Sequence, residues 1–188
     1  MNKRMKKLIQ VGCVLAAATW CVTSAYANNA KVSAVEQVDL NKYLGEWHEV
    51  ARKPLKFQKD CAYNVMAQYS LNDKGNVKVV NSCYKANGER KVSEAEAFVK
   101  NAPANSKLEV SFLPKSIRWL PVGRGDYWVL KLDPEYQMAL VGEPSKKYLW
   151  VLSRNPQPDP AKVKEYLNYA QSLGYDLKDL IYTPYKAQ

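Results

Sequence analysis

The stretch DYWVLKLDPEYQMALVGEPSKKYLWVLSR, residues 126–154, holds three apolar runs cut by two turn clusters. The runs 127–132, 136–142 and 148–153 have strand length and are rich in aromatic and branched side chains, and Asp133-Pro134 and Glu143-Pro144-Ser145 interrupt them. Their apolar residues are nearly continuous rather than alternating, so both faces of these strands need cover. A core covers one face. The other cover is encoded just downstream: Asp159 can cap and Pro160 can open a helix, Val163, Tyr166, Leu167, Ala170 and Leu173 recur at helical spacing, and Gly174 is placed to stop it. A helix on the outer face of the last strands accounts for the lost alternation.

Residues 46–52, 63–71, 77–84, 92–100 and 107–113 are strand-like runs of the same kind. The turn Asn72-Asp73-Lys74-Gly75 joins the second to the third as a hairpin, and Ala86-Asn87-Gly88 turns the chain again. Leu108, Val110 and Phe112 alternate with Lys107, Glu109 and Ser111, which gives one dry face and one wet face. The loop 114–123 carries Ile117, Trp119, Leu120 and Val122, and a loop so apolar either covers a core or lines a mouth. Eight antiparallel strands in sequence order predict an all-β fold: an up-and-down β-barrel with the C-terminal helix packed outside. Leu180, Ile181 and Tyr182 are placed to add one short strand. An eight-stranded barrel has no free sheet edge, and its interior can hold one small ligand.

The chain has 188 residues, 47% of them apolar, enough for one core and too apolar for disorder. Its net charge of +10 invites a nucleic-acid reading. Residues 1–27, however, read as a cleaved export signal: Lys3, Arg4, Lys6 and Lys7, then an apolar run too short to span a membrane, then Ala25-Tyr26-Ala27 before Asn28. The mature domain is then residues 28–188. Removing the leader's four cations from the 28 leaves 24 basic against 18 acidic residues, and these are interleaved without a basic helix, so nucleic acid is not the expected partner. Cys21 could carry a lipid anchor, but bulky Trp20 before it is a poor context. The expected location is the periplasm or the outer membrane.

Cys61 and Cys83 are an even pair in an oxidising compartment, which predicts a disulfide, with two free buried thiols as the alternative. They flank the 63–84 hairpin, so pairing brings them close once a bulge offsets the register. No metal site is expected, since His48 is the only histidine and no third soft ligand lies near it.

Three segments resemble the lipocalin family: Gly45-Glu46-Trp47 preceded by Tyr43-Leu44; Asp126-Tyr127-Trp128-Val129-Leu130 with Asp133-Pro134-Glu135-Tyr136; and Tyr148-Leu149-Trp150-Val151-Leu152-Ser153-Arg154. The similarity runs over residues 38–182. It is strongest to the branch of bacterial outer-membrane lipocalins, apolipoprotein D and plant temperature-induced lipocalins. Pro134-Glu135-Tyr136 departs from the family's usual Thr-Asp-Tyr. By this resemblance Gly45, Trp47, Tyr136 and Arg154 are structural, with Trp47 plugging the closed end and the Arg154 guanidinium lying across its ring.

The resemblance also implies capture of a small hydrophobic ligand, a fatty acid or a lysophospholipid, in the cell envelope and without a cofactor. Such a carrier can serve membrane maintenance under stress. Val65, Ala67 and Tyr69 are expected on the lumen face of the second strand, Val79 on the third and Phe98 on the fourth. Val110 and Phe112, Tyr127 and Val129, and Tyr148 and Trp150 are the expected lumen residues of the fifth, sixth and eighth. Lys53, Lys56, Lys59, Arg118 and Arg124 fall in loops at the expected open end, suited to an anionic head group or a membrane surface. The rival is an isomerase using a free Cys61 thiolate inside the barrel. A carrier rather than an enzyme is the expectation, as monomer or homodimer.

Overall fold

The computed structural model describes residues 31–187. The leader 1–27 and Cys21 lie outside the described residues. A four-residue helix, α1 (Leu40–Tyr43), precedes eight strands: β1 (Gly45–Arg52), β2 (Tyr63–Leu71), β3 (Val77–Tyr84), β4 (Arg90–Val99), β5 (Lys107–Ser111), β6 (Arg124–Leu132), β7 (Met138–Gly142) and β8 (Leu149–Ser153). Then come α2 (Pro160–Ser172) and the two-residue β9 (Ile181–Tyr182). From β2 to β8 each strand pairs antiparallel with the next, and β1 closes the barrel by pairing antiparallel to both β8 and β2. β9 adds to β1 at Ala51 and Arg52.

The bounds of β1, β4, β5 and β8 differ by one or two residues from the sequence expectation, and three further differences have local causes. α1 was not anticipated; Asp39 caps it by accepting from the Asn41 N–H at 2.9 Å. β6 begins at Arg124, three residues early, because it pairs with the end of β5 through Ser111↔Arg124. β7 begins at Met138 rather than Tyr136, because Tyr136 adopts a positive φ of 57° in the turn and cannot join a ladder.

Two apolar layers result. Inside the barrel, Trp47, Val79, Ala97, Leu108, Val129 and Val141 belong to one buried cluster. Between barrel and helix, Leu130, Met138, Leu140 and Val151 pack with Val163, Tyr166, Leu167 and Ala170. Every residue of β7 is buried, as a strand covered on both faces must be. The helix begins where its sequence signals lie: Asp159 accepts from the Ala161 N–H at 2.8 Å and Pro160 occupies the first turn.

Three register shifts shape the lumen. In β1 the shift falls between Glu49 and Ala51. Glu49 stays opposite Leu152 and Arg52 opposite Trp150, both lumen residues, whereas Ala51 goes to the helix-side layer. In β2 the shift falls between Tyr63 and Met66, where Asn64 has a φ of 48°. That bulge supplies the offset needed for Cys61 and Cys83, which form a disulfide across Cα atoms 5.5 Å apart. The third shift lies between Val129 and Lys131: Leu130 faces the helix by alternation from Val129, and the shift leaves Lys131 on that outer face too, where it pairs with Glu165.

Candidate functional site

The closed end begins with a helix that leaves its last carbonyls without intrahelical partners. Arg154, leaving the end of β8, supplies donors for them. Its Nη2 donates to the carbonyls of Leu44 at 2.8 Å, Lys42 at 2.9 Å and Tyr43 at 3.2 Å; Nη1 donates to Glu46 at 2.6 Å and Nε to Tyr136 at 3.3 Å. The guanidinium carbon sits 3.9 Å from the centroid of a Trp47 ring that has no exposed surface. The Trp47 indole N–H donates to the Tyr43 carbonyl at 2.8 Å. Gly45 has a φ of 95°, and a Cβ there would lie 3.3 Å from Arg154 Nη1, so the chain can pass under the guanidinium only without a side chain.

Above this floor lies one cavity of about 520 Å³, within the range of small-molecule sites. Val65, Ala67, Tyr69 and Val79 line it from β2 and β3, and Val110, Tyr127 and Val129 from β5 and β6. Tyr148 and Trp150 line it at β8, their rings 6.1 Å apart, and Phe112 stands at the rim, 53% exposed.

Phe98 is a correction. It pairs with Glu109 on the outer face and lies under Arg124, whose guanidinium carbon is 3.8 Å from the ring centroid. Ala97 faces the lumen instead, between Val77 and Val110. The resemblance implies Phe98 for β4, but the strand's parity puts the small Ala97 inward, and small inward residues leave room for a cavity.

Other lumen residues went unread. Val77 and Leu152 follow by alternation from Val79 and Trp150, and Glu49 by alternation from Trp47. Glu49 and Arg52 are both buried and 3.3 Å apart. Gln58 Nε2 donates to Glu49 Oε2 at 2.7 Å, the Thr183 hydroxyl donates to Oε1 at 2.5 Å, and the Trp150 indole donates to Gln58 Oε1 at 3.2 Å. Arg52 Nε has no partner among the described residues. Burial pushes the Glu49 carboxyl above its ordinary range, against the pull of Arg52 and its hydrogen bonds.

Three tyrosines bring polar groups into the lower lumen. The hydroxyls of Tyr43 and Tyr127 are 2.8 Å apart, and those of Tyr127 and Tyr69 are 3.1 Å apart. Burial pushes the Tyr69 hydroxyl up to about 12 and raises Tyr43 and Tyr127 as well, so all three keep their protons.

The open end is built from two loops. Phe57, in the 3-10 turn Lys56–Gln58, stacks on Phe112 with centroids 6.5 Å apart. Lys91 holds the first loop by donating to the Phe57 carbonyl and to Asp60, both at 3.3 Å. The two arginines expected to face a head group are engaged by the second loop and the strands beside it. Arg118 donates to the carbonyls of Leu113 at 2.7 Å and Glu94 at 3.2 Å, and Arg124 to those of Trp119 at 2.9 Å and Leu120 at 3.2 Å. Lys53 turns away to the Asp176 carbonyl. Among the described residues no cluster of three metal-ligating side chains occurs, and no helix is long and apolar enough to cross a membrane.

The model of the lipocalin-like domain matches residues 38–185, the whole barrel with its helix and β9. The chain belongs to the lipocalin family. It is similar to temperature-induced lipocalin-1 of Arabidopsis thaliana, 37% identical over 156 residues covering 82% of this chain and 83% of that one. It is 36% identical to the outer membrane lipoprotein Blc of Escherichia coli strain K12 over 152 residues, 80% and 81% of the two chains. Bovine apolipoprotein D is 36% identical over 135 residues, 68% of this chain and 67% of its own. Among solved structures, insecticyanin from the tobacco hornworm Manduca sexta shares the fold, with a TM-score of 0.63 at 22% identity, covering 86% and 87% of the chains. Lipocalin relatives of this kind bind small hydrophobic ligands, and a cup open at one end is the geometry for it.

Proposed function

We propose that this lipocalin carries a single-chain amphiphile, a fatty acid or a lysophospholipid, in the cell envelope, where it serves membrane maintenance under stress. The observation that carries the reading is the cavity of about 520 Å³, walled mostly by aliphatic and aromatic side chains. Each methylene moved from water into such a cup contributes about 0.8 kcal/mol, so an acyl chain binds without many hydrogen bonds. The leader reading of residues 1–27 and the disulfide support export, and similarity to outer membrane lipoproteins supports a place at the outer membrane.

The mouth adds a membrane surface as a partner. Phe57, Ile117, Trp119 and Val122 are exposed around it, with Lys56, Lys59 and Lys115 beside them, a combination suited to resting on an anionic bilayer while the ligand passes. The isomerase reading is the weaker one: Cys61 is bonded to Cys83, and a disulfide sulfur is no thiolate nucleophile.

The test is titration of delipidated protein with a fluorescent fatty acid, following quenching of the lumen tryptophan. Saturable uptake at about micromolar affinity is the expected result, and no saturable uptake of any acyl ligand would sink the reading. Native mass spectrometry of protein from its own host, with lipid extraction, then names the head group.

A further inference from the structure

The three tyrosine hydroxyls at the bottom of the cup carry three hydrogens but make only two contacts with one another, Tyr43 with Tyr127 and Tyr127 with Tyr69. A chain of three hydroxyls uses two hydrogens in two bonds, whichever way each O–H points. One hydrogen is therefore always left over. Among the described residues no further acceptor lies within hydrogen-bond reach of these oxygens. All three side chains line the cavity, and Tyr43 and Tyr69 are 6% and 7% exposed. An O–H left without an acceptor beside apolar walls costs about 1–3 kcal/mol, which a fold built only to hold hydrocarbon would avoid with phenylalanine.

We infer that the Tyr43–Tyr127–Tyr69 chain is a deep polar subsite, which takes an acceptor oxygen carried on the buried end of the ligand. The inference rests on the carrier reading and refines it: the preferred ligand is an amphiphile oxygenated at the end that enters first. That oxygen is either a carboxyl group entering ahead of its chain or a hydroxyl or keto group near the far end of an acyl chain. Burial raises all three hydroxyls, so the donor keeps its hydrogen at neutral pH. The site is also forgiving. Removing an end hydroxyl removes one hydrogen and one bond, and removing the central Tyr127 hydroxyl removes one hydrogen and both bonds, so a single Tyr→Phe change still leaves a donor. Only removal of all three abolishes it.

The experiment compares hexadecanoic acid with 16-hydroxyhexadecanoic acid, by calorimetric titration of delipidated wild type and of the Tyr43→Phe/Tyr69→Phe/Tyr127→Phe variant. Circular dichroism checks the fold, and phenylalanine keeps the rings that pack. If the oxygen sits on the far end of the chain, the triple variant loses about tenfold in affinity for the hydroxy acid alone. If the carboxyl enters first, it loses about as much for both acids. A triple variant that takes up both acids as tightly as wild type overturns the subsite and leaves the carrier reading standing. Wild type that takes up neither acid overturns both. Should the triple variant fail to fold, the wild type decides. A hydroxy acid bound at least as tightly as the plain acid supports the subsite, and one bound tenfold more weakly overturns it, because a hydroxyl buried without a partner carries that penalty.

Discussion

At the closed end of the barrel, Arg154 directs its donors to five carbonyls and lays its face on a fully buried Trp47; at the open end, Arg118 and Arg124 hold carbonyls within a loop whose tryptophan, Trp119, is 67% exposed. The residue types are the same and the chemistry is the same, a guanidinium satisfying carbonyls. What differs is whether the tryptophan at that end is covered, since Arg124 lies on the partly buried Phe98 and not on Trp119. Trp47 lies where α1, β1 and β8 converge, so its ring is enclosed on all sides. Trp119 sits on the loop between β5 and β6 and stands largely in water. Stability therefore concentrates at one end and ligand access at the other. Changes at the two ends separate accordingly.

Trp47→Ala breaks the comparison most severely. It opens a cavity beneath the floor and leaves Arg154 without its ring, at a cost of about 3–5 kcal/mol in urea unfolding. A loss under about 1 kcal/mol would mean that the closed end is not where the fold is anchored. Arg154→Lys should fall short of rescue, because one ammonium cannot reach the carbonyls that a planar fork serves.

The disulfide gives the open end a covalent constraint. Its sequence separation of 22 residues corresponds to about 3 kcal/mol in the chain-entropy model. Cys61→Ala/Cys83→Ala should therefore lower urea stability by about that amount, while the far-ultraviolet spectrum and the binding of a deep-seated acyl chain persist. If ligand affinity collapsed as well, the mouth would be shaping the whole cup, and the division between the ends would be wrong.

The barrel was legible because its signals are local. Turn clusters such as Asn72-Asp73-Lys74-Gly75, the cap at Asp159 and the lost alternation of 127–153 each state their own structure, and β2 and β3 have the residue bounds that their sequence predicts. The lumen was legible where alternation is strict, as for Val65, Ala67 and Tyr69. It failed by one residue of parity on β4, where Ala97 and not Phe98 faces the lumen. It also failed where a bulge changes parity: the shift after Glu49 puts Glu49 and Arg52 on one face although they are three apart, and no strand periodicity reads that. The tyrosine chain was invisible for another reason. Tyr43, Tyr69 and Tyr127 come from three elements, and only closure brings their oxygens together.

Glu49 gives a smaller effect that tests the middle of the cup, between the two ends. Its carboxyl is pushed above the ordinary value of 4.5, so in the folded state it holds its proton at a pH where the unfolded chain has released it. Its contribution is fully present below about pH 4.5 and is lost as pH rises through the raised folded value. Asp133 and Glu143 run the other way: burial raises them, but hydrogen bonds outweigh it and hold both low, so their contribution is lost as pH falls. The difference between wild type and Glu49→Gln isolates the first effect. Above pH 4.5 wild type should lose stability relative to the variant, with a slope of at most about 1.4 kcal/mol per pH unit. A flat difference would mean that Arg52 keeps Glu49 ionised throughout.

The smallest effect on stability should come from the open end itself. Trp119→Ser removes a side chain that already stands in water, so urea stability should change by less than about 0.5 kcal/mol. The same ring is the largest apolar group on the mouth loops, and an aromatic ring is suited to the polar–apolar boundary of a bilayer. Flotation with vesicles containing phosphatidylglycerol should therefore recover less of the variant than of wild type, with the gap closing as salt screens the neighbouring lysines. Equal flotation of the two proteins would leave the exposed mouth without a membrane role. A stability loss as large as that of Trp47→Ala would show that Trp119 is a packed residue after all, and that the two ends of the barrel are built alike.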